Sequence, residues 1–201
     1  MSYNILLAGV GGQGLMLLSA VLGEACTASE MRVVTQEQHG LAQRSGSITA
    51  HVRIGEAYSP MIPYGEADLI LAMEAMEALR NIEYLKSEGA IVMSSRVIHP
   101  VIETNKLVVN RRESLPYLML DDIRVQLEKA IKQVLVVDAV TLAMEAGNPR
   151  TENVVLLGAA SRLEGFPLKR SQLLQAVNKI VPSRTVEANM KAFELGEKNE
   201  E

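Results

Sequence analysis

The stretch that decides the fold is Asn4-Ile-Leu-Leu-Ala-Gly-Val-Gly-Gly-Gln-Gly14, close to the start of the sequence. Its apolar first half, which ends in glycine, is typical of a buried parallel strand. Gly9, Gly11 and Gly14 follow the spacing G-x-G-x-x-G, and the apolar residues after them predict a helix over residues 13–29. A strand, a glycine turn and a helix in this order predict the first half of a βαβ unit.

Strand-like and helix-like patterns alternate along the rest of the chain. Further strands are predicted at residues 31–35, 48–54, 67–72 and 89–94, with a shorter candidate at residues 106–109. Residues 134–137 either form a strand or lead directly into the next helix, and residues 37–47 are predicted to form a polar loop. Further helices are predicted at residues 74–85, 118–133, 138–146, 152–163, 169–180 and 186–195.

This alternation predicts an α/β fold that is Rossmann-like, with a mainly parallel sheet flanked by helices. The proline-rich and glycine-rich breaks between the elements indicate turns rather than linkers between domains. We therefore expect a single domain over residues 1–196, followed by a charged tail at residues 197–201.

The glycine turn permits two interpretations. Glycine allows a tight turn and a close approach of a ligand to the backbone, and a helix N-terminus offers free N–H groups to an anion. Gly9, Gly11, Gly12, Gln13 and Gly14 are therefore candidate cofactor-binding residues. Alternatively, the same glycines let the strand, turn and helix pack closely, or they receive a neighbouring subunit.

A dinucleotide is one ligand that this turn could bind, although two parts of the usual patterns differ. The acidic residue expected at the end of the second strand is replaced by Thr35 and Gln36. The turn also lacks the lysine and the hydroxyl of a phosphate-binding P-loop, because Leu15 and Met16 stand in their places. A free-standing dinucleotide-binding protein is the alternative function, and an NTPase is not expected.

The composition argues against several other classes of protein. A net charge of −4 and a pI near 5.5 offer no basic surface for nucleic acid. The single cysteine, Cys26, cannot by itself hold an iron–sulfur cluster, and His39, His51 and His99 lack metal-ligand spacing, so no metal site is expected. The N-terminus has no basic signal-peptide segment, and no apolar stretch reaches the ~20 residues that span a bilayer. We expect a cytoplasmic protein with no membrane partner.

Motifs spread over nearly the whole chain resemble those of one family. They are Gly9-Val-Gly-Gly-Gln-Gly14, Glu37 with Gly40-Leu-Ala-Gln-Arg44, His51-Val-Arg-Ile-Gly55, Ser59-Pro60, Gly65-Glu-Ala-Asp68, Ala146-Gly-Asn-Pro-Arg-Thr-Glu-Asn153, Leu157-Gly158, and Asn189 with Ala192-Phe193. The chain resembles the gamma subunit or domain of 2-oxoacid:ferredoxin oxidoreductases, and within that family the beta subunits of indolepyruvate ferredoxin oxidoreductases. It departs from the family at Ser45, where a glycine is frequent.

This resemblance implies a function that the chain performs together with partners. Such enzymes decarboxylate a 2-oxoacid on thiamine diphosphate, pass electrons through 4Fe–4S clusters to ferredoxin and release an acyl-CoA. The resemblance places thiamine diphosphate, its Mg²⁺ and the clusters on a catalytic partner subunit, so this chain is expected to be accessory and to hold no catalytic residue. Coenzyme A is a candidate ligand at the interface. We also expect the isolated chain to form a homodimer, because a subunit removed from a complex exposes apolar surface.

The polar segment that follows the second strand adds Glu37, Gln43 and Arg44 to the candidate cofactor-binding residues. An arginine between small residues, in a loop that leads into a strand, can clamp a phosphate or a carboxylate. It can equally form an intersubunit salt bridge, and the sequence leaves both roles open.

Overall fold

The computed structural model describes residues 2–39, 46–98 and 117–199. The predicted strand at 106–109 and the candidates Gln43 and Arg44 lie outside these residues. Six strands of the described residues form one sheet in the order β2-β3-β1-β4-β5-β6. They are β1 (Ser2–Val10), β2 (Val33–His39), β3 (Ser47–Gly55), β4 (Ala67–Ala72), β5 (Leu85–Ser94) and β6 (Gln133–Val137).

The α-helices of the described residues connect and cover these strands. They are α1 (Leu15–Ala28), α2 (Ala75–Arg80), α3 (Leu120–Ala130), α4 (Ala139–Glu145), α5 (Glu152–Ala160), α6 (Arg170–Ile180) and α7 (Val186–Lys198). Short 3-10 turns lie at Ile82–Tyr84, Pro149–Thr151 and Ser183–Thr185.

Both faces of the sheet are buried, as the apolar run in β1 predicts. Ile5 and Leu7 pack on one face into a cluster that includes buried residues of α1 and α4 to α7. Leu6 and Ala8 point to the opposite face and pack into a second cluster with residues of α2 and α3. Because successive strand residues face opposite sides, this division gives a three-layer arrangement of helices, sheet and helices.

The strand directions confirm the predicted α/β class with a mainly parallel sheet. β1 pairs in parallel with β4, β4 with β5, and β5 with β6. β3 runs antiparallel to both of its neighbours, β1 and β2, so it alone opposes the other five strands of the described sheet. In a dinucleotide-binding unit β2 lies beside β1. Here β3 separates them, so the end of β2 is displaced from the glycine turn.

The prediction of a polar loop over residues 37–47 was wrong at both ends. Glu37 and His39 belong to β2, where they pair with Ala50 and Ile48 of β3, and Ser47 already begins β3. β2 lies at the edge of the sheet, so its polar side chains do not have to enter the core. Backbone pairing with a distant segment, which the local pattern does not show, decides the conformation.

Several helices begin or end at residues other than those predicted from the sequence. The first begins at Leu15 rather than Gln13, and those predicted at 74–85, 118–133 and 152–163 end at Arg80, Ala130 and Ala160. Because β6 takes up the residues from Gln133, residues 134–137 form a strand rather than a lead into the next helix.

The last helix was predicted to end at residue 195, but α7 continues through Gly196 to Lys198. A Cβ atom on Gly196 would lie 2.7 Å from the carbonyl carbon of Val155 in α5, and one on Gly158 would lie 3.0 Å from the carbonyl carbon of Phe193 in α7. These two glycines therefore permit the close approach of α5 and α7, and α5 carries part of the site described below.

Candidate functional site

The glycine turn joins the carboxyl end of β1 to the N-terminus of α1. Gly12 and Gly14 have φ angles of 98° and 78°, in the left-handed region that favours glycine. The Gly14 carbonyl accepts a helical hydrogen bond from the Leu18 N–H at 3.2 Å. The N–H groups in the first turn of a helix, before that bond, have no helical acceptor and point out of the helix end. The turn therefore presents partial positive charge at the end of β1.

Gln13 fastens this turn to the neighbouring strand. Its Oε1 accepts a hydrogen bond from the Val10 N–H at 2.8 Å, and its Nε2 donates to the carbonyl of Met73, directly after β4, at 3.0 Å. The Gln13 N–H also donates to the Val10 carbonyl at 3.2 Å. One side chain thus satisfies two backbone groups and sets the distance between the turn and the end of β4.

The glycines of the turn have different structural roles. A Cβ on Gly9 would lie 2.8 Å from Leu15 Cδ1, and one on Gly14 would lie 2.5 Å from Asn153 Nδ2, so these two glycines permit close packing. Gly11 donates its N–H to the Gly46 carbonyl at 3.0 Å. At Gly12, by contrast, a Cβ would meet nothing within 4 Å, so this part of the turn faces open space.

That open space is a cavity of about 420 Å³ at the N-terminus of α1. Its wall combines the turn, the start of α1, the ends of β4 and β5, and the start of α5. The lining residues are Gly12, Gln13, Gly14, Leu17, Met73, Arg96, Pro149, Arg150, Glu152 and Asn153. A helix N-terminus and two arginines beside one cavity favour a ligand with negative charge.

The Asn153 side chain joins the two helices that border the cavity. It is 2% exposed, and its Nδ2 donates a hydrogen bond to the Gly14 carbonyl at 3.1 Å. Its Oδ1 accepts a hydrogen bond from the Val154 N–H at 2.9 Å. Asn153 thereby fixes the start of α5 against the start of α1, which holds these two walls of the cavity at a fixed distance.

Arg96 enters the cavity from a segment that several backbone contacts hold in place. Its N–H donates to Ser94 Oγ at 3.2 Å, its carbonyl accepts from the Ala75 N–H at 2.9 Å, and the preceding Ser95 N–H donates to the Val137 carbonyl at 2.9 Å. The Arg96 Nη1 lies 3.1 Å from both carboxylate oxygens of Glu152. The ion pair therefore joins the wall formed by the end of β5 to the wall formed by α5.

Three effects act on the pKa of the Glu152 carboxyl. Burial raises the pKa of Glu152 above its usual value, the positive charge of Arg96 opposes this effect, and the negative charge of Asp138 adds to it. The pKa of Glu152 is raised overall. Its charge is therefore less firmly held than that of a solvated glutamate.

The structure brings only some of the predicted residues to this cavity. Gly12, Gln13 and Gly14 line it. Gly9 instead packs closely against Leu15, and Gly11 donates its N–H to the Gly46 carbonyl. Glu37 lies in β2 and lines a separate groove along the outer side of α1, so it does not meet the glycine turn. Gln43 and Arg44 lie outside the described residues.

Sequence reasoning missed Arg96, Arg150, Glu152 and Asn153. The last three lie inside the segment Ala146–Asn153 that the family resemblance includes, so that motif was the signal for them. Arg96 follows β5, and the rule that ligands of open α/β sheets bind beyond the carboxyl ends of the strands would have pointed to it. The local pattern around Arg96 carries no other signal.

Two further candidates for chemistry, Cys26 and His51, lie in the core. Cys26 is fully buried in α1, and burial raises the pKa of its thiol to about 11. His51 is also buried, and its Nδ1 accepts a hydrogen bond from the Ile62 N–H at 3.2 Å. Among residues 2–39, 46–98 and 117–199, no three His, Cys, Asp or Glu side chains are grouped so that they could hold a metal ion. The helices in the same ranges include none of the length and apolarity that crossing a membrane requires.

Comparison with known proteins gives a chain-long match to relatives of similar size. The chain is 43% identical over 198 residues to the indolepyruvate oxidoreductase subunit IorB of Thermococcus kodakarensis, which covers 98% of this chain and 95% of that protein. It is 25% identical over 197 residues to the 2-oxoglutarate synthase subunit KorC of Methanothermobacter marburgensis, covering 98% of this chain and 95% of that one.

The fold is shared with a solved relative. The gamma subunit of the keto/oxoacid ferredoxin oxidoreductase from Geobacter sulfurreducens matches with a TM-score of 0.67 and 26% identity, covering 96% of this chain and 95% of that one. A family model described as pyruvate ferredoxin/flavodoxin oxidoreductase matches residues 4–198. Together with the glycine turn and the sheet order, these matches confirm the resemblance: the chain belongs to the pyruvate ferredoxin/flavodoxin oxidoreductase family, as a gamma-type subunit.

Proposed function

We propose that this chain is the non-catalytic subunit of an indolepyruvate:ferredoxin oxidoreductase complex. The complex decarboxylates the 2-oxoacid oxidatively, transfers the acyl group to coenzyme A and passes the electrons to ferredoxin. The observation that carries the proposal is the 43% identity to an indolepyruvate oxidoreductase subunit over 98% of this chain. The lower identity of 25% to a 2-oxoglutarate synthase subunit favours indolepyruvate over 2-oxoglutarate as the substrate.

The division of labour within the complex follows from the chemistry of the described residues. Thiamine diphosphate, Mg²⁺ and the 4Fe–4S clusters are assigned to the catalytic partner. A cluster needs several thiolates, whereas the single thiol of this chain is buried and its pKa is raised to about 11. We accordingly assign no catalytic residue to this chain, and we place the reduction of ferredoxin on the partner.

The glycine-turn cavity is the part of this chain that we assign to a ligand, and we propose that it binds the diphosphate of coenzyme A. The N–H groups at the start of α1 suit a phosphate, and Arg96 and Arg150 supply positive charge on two other walls. Asn153 and Gln13 hold those walls together. The cavity would therefore hold coenzyme A beside the partner that carries the acyl group.

Co-expression with the thiamine-dependent partner tests the subunit assignment. We expect the two chains to purify together, and the complex to reduce ferredoxin faster with indolepyruvate than with 2-oxoglutarate or pyruvate. If the two chains are co-expressed and do not associate, the assignment is refuted. A complex that forms but prefers 2-oxoglutarate would refute only the substrate.

Two further proposals concern the oligomeric state of the isolated chain and the location of the complex in the cell. The outer side of α1 carries Met16, a residue that is 60% exposed, beside the groove that includes Ala20 and Gly23. This surface supports the proposal that the isolated chain associates as a homodimer. Light scattering that finds a monomer at high concentration would contradict it. We also place the complex in the cytoplasm, which fractionation of cells would test.

A further inference from the structure

The cavity contains a charge arrangement that the binding of an anion alone does not require. Arg96 uses a single nitrogen, Nη1, to contact both oxygens of Glu152 at 3.1 Å. Within the described residues, its Nε and Nη2 make no hydrogen bond to the protein. A guanidinium carries five N–H donors in a fixed plane, so most of the Arg96 donors remain available for a ligand.

The second arginine of the cavity is placed differently. Arg150 is exposed, and no carboxylate among residues 2–39, 46–98 and 117–199 pairs with its side chain. Arg96 is the more confined of the two, because its side chain is 38% exposed and its backbone is bonded on both sides. Arg96 is therefore the arginine whose position in the cavity is set before a ligand arrives.

Glu152 carries the opposite charge into the same space. Its side chain is 17% exposed, and it lines the cavity beside the arginine that would recognise an anion. A carboxylate in this position repels an incoming phosphate, which lowers affinity. It also balances the charge of Arg96 while the cavity is empty, so the guanidinium is not left half-buried without a counter-ion.

We propose that Arg96 recognises the diphosphate of the ligand and that Glu152 is its displaceable counter-ion, which limits the affinity so that the product can leave. This inference rests on the proposed binding of coenzyme A in the glycine-turn cavity. On binding, the diphosphate contacts the Arg96 donors that Glu152 does not use. The acyl product carries the same diphosphate, so a site that bound it too tightly would slow its release.

The proposal predicts opposite effects for the two members of the ion pair. In the assembled complex without 2-oxoacid, Arg96→Gln should weaken the binding of coenzyme A about tenfold, because hydrogen bonds to a charged group are lost. Arg96→Lys should bind between wild type and Arg96→Gln, because lysine keeps the charge but not the planar donors. Glu152→Gln keeps a hydrogen-bond acceptor for Arg96 but removes the charge, and it should tighten binding about fivefold.

The pH dependence of binding separates the counter-ion role from a merely structural one. Protonation of Glu152 removes its repulsion, so affinity should rise as the pH falls toward its raised pKa. Among the described residues, the charged groups around it are Arg96, Arg150 and Asp138. Dephospho-coenzyme A is the suitable probe, because its diphosphate does not titrate near neutral pH. Glu152→Gln should abolish this rise.

Calorimetry on the complex, with the thermal midpoint of each variant as a folding check, measures all of these affinities. Arg124→Gln and Glu128→Gln are matched controls, because they break an exposed ion pair of 2.6 Å on α3 that does not line the cavity. Coenzyme A and dephospho-coenzyme A should bind alike, and pantetheine, which lacks the diphosphate, should bind more weakly. Equally strong binding of pantetheine would overturn the proposal.

The remaining outcomes distinguish this inference from the proposed function. Wild-type binding that neither Arg96→Gln nor Glu152→Gln changes would overturn the counter-ion proposal and leave coenzyme A as the ligand. A wild-type complex that binds neither form of coenzyme A would overturn the proposed ligand and this inference together. Binding of NAD with the same dependence on Arg96 would support diphosphate recognition but assign it to a dinucleotide.

Discussion

A single methyl group at Gly196 should destabilise the fold by opening the contact between α5 and α7. A Cβ at this position would lie 2.7 Å from the Val155 carbonyl carbon and 3.0 Å from its Cα, and it would overlap the Val155 carbonyl oxygen. These atoms are backbone, so they cannot rotate away. Carbon contacts are favourable at about 3.5–4.0 Å, so the helices must separate by roughly 1 Å.

The cost follows from what this contact buries. Val155 and Phe193 are both fully buried, and overpacking a core of this kind costs about 1–3 kcal/mol, occasionally more. Alanine has a higher helix propensity than glycine, which returns about 1 kcal/mol. Because backbone rather than side chains must move, we place the cost at the upper end and expect Gly196→Ala to lower the free energy of unfolding by about 2 kcal/mol. For a chain of this length the midpoint should fall by about 4–8 °C.

Gly23 provides a matched control for the same substitution. It lies inside α1, and a Cβ there would meet nothing within 4 Å. Gly23→Ala should therefore show only the gain in helix propensity and raise the free energy of unfolding by up to about 1 kcal/mol. Thermal and urea unfolding of both variants measure the difference. If Gly196→Ala were as stable as Gly23→Ala, the close approach of α5 and α7 would be refuted.

Two further predictions concern a partly buried polar side chain, Gln13, and a buried one, His51. Gln13→Leu should cost about 1–3 kcal/mol, because it removes the partners of the partly buried Val10 N–H and Met73 carbonyl, and urea unfolding measures this loss. A Gln13→Leu variant as stable as wild type would show that water replaces both bonds. His51 has a lowered pKa through burial and the charge of Arg53, so the unfolded chain binds its proton more readily. Stability should fall as the pH drops below about 6.5, and His51→Phe should flatten that slope. An unchanged slope in the variant would assign the loss to other groups.

The sequence predicted the layers of the fold better than the order of the strands within the sheet. The apolar runs in β1, β4 and β5 identify buried strands because both of their faces are covered. The polar residues 36–39 of β2 carry no such signal, since an edge strand is specified by its pairing with β3. The insertion of β3 between β1 and β2 is a long-range arrangement, and no local pattern encodes it.

The candidate site was predicted in part for a similar reason. The glycine turn can be recognised because its residues are adjacent in the sequence, and in the structure Gly12, Gln13 and Gly14 line one cavity. Arg96 and Glu152 lie 56 positions apart in the chain. They meet because the fold places the segment after β5 beside the start of α5. The sequence alone could not show that an arginine and its counter-ion face the turn.

The accessory role of this chain can be tested by measuring the reduction of ferredoxin by the catalytic partner with and without this chain. We propose that the chain is an accessory subunit that completes the site for coenzyme A. With indolepyruvate and coenzyme A present, we expect sustained ferredoxin reduction only after the chain is added, with saturation at a fixed ratio of the two subunits. A partner that reaches the full, coenzyme A-dependent rate without this chain would show that the chain has no such accessory role.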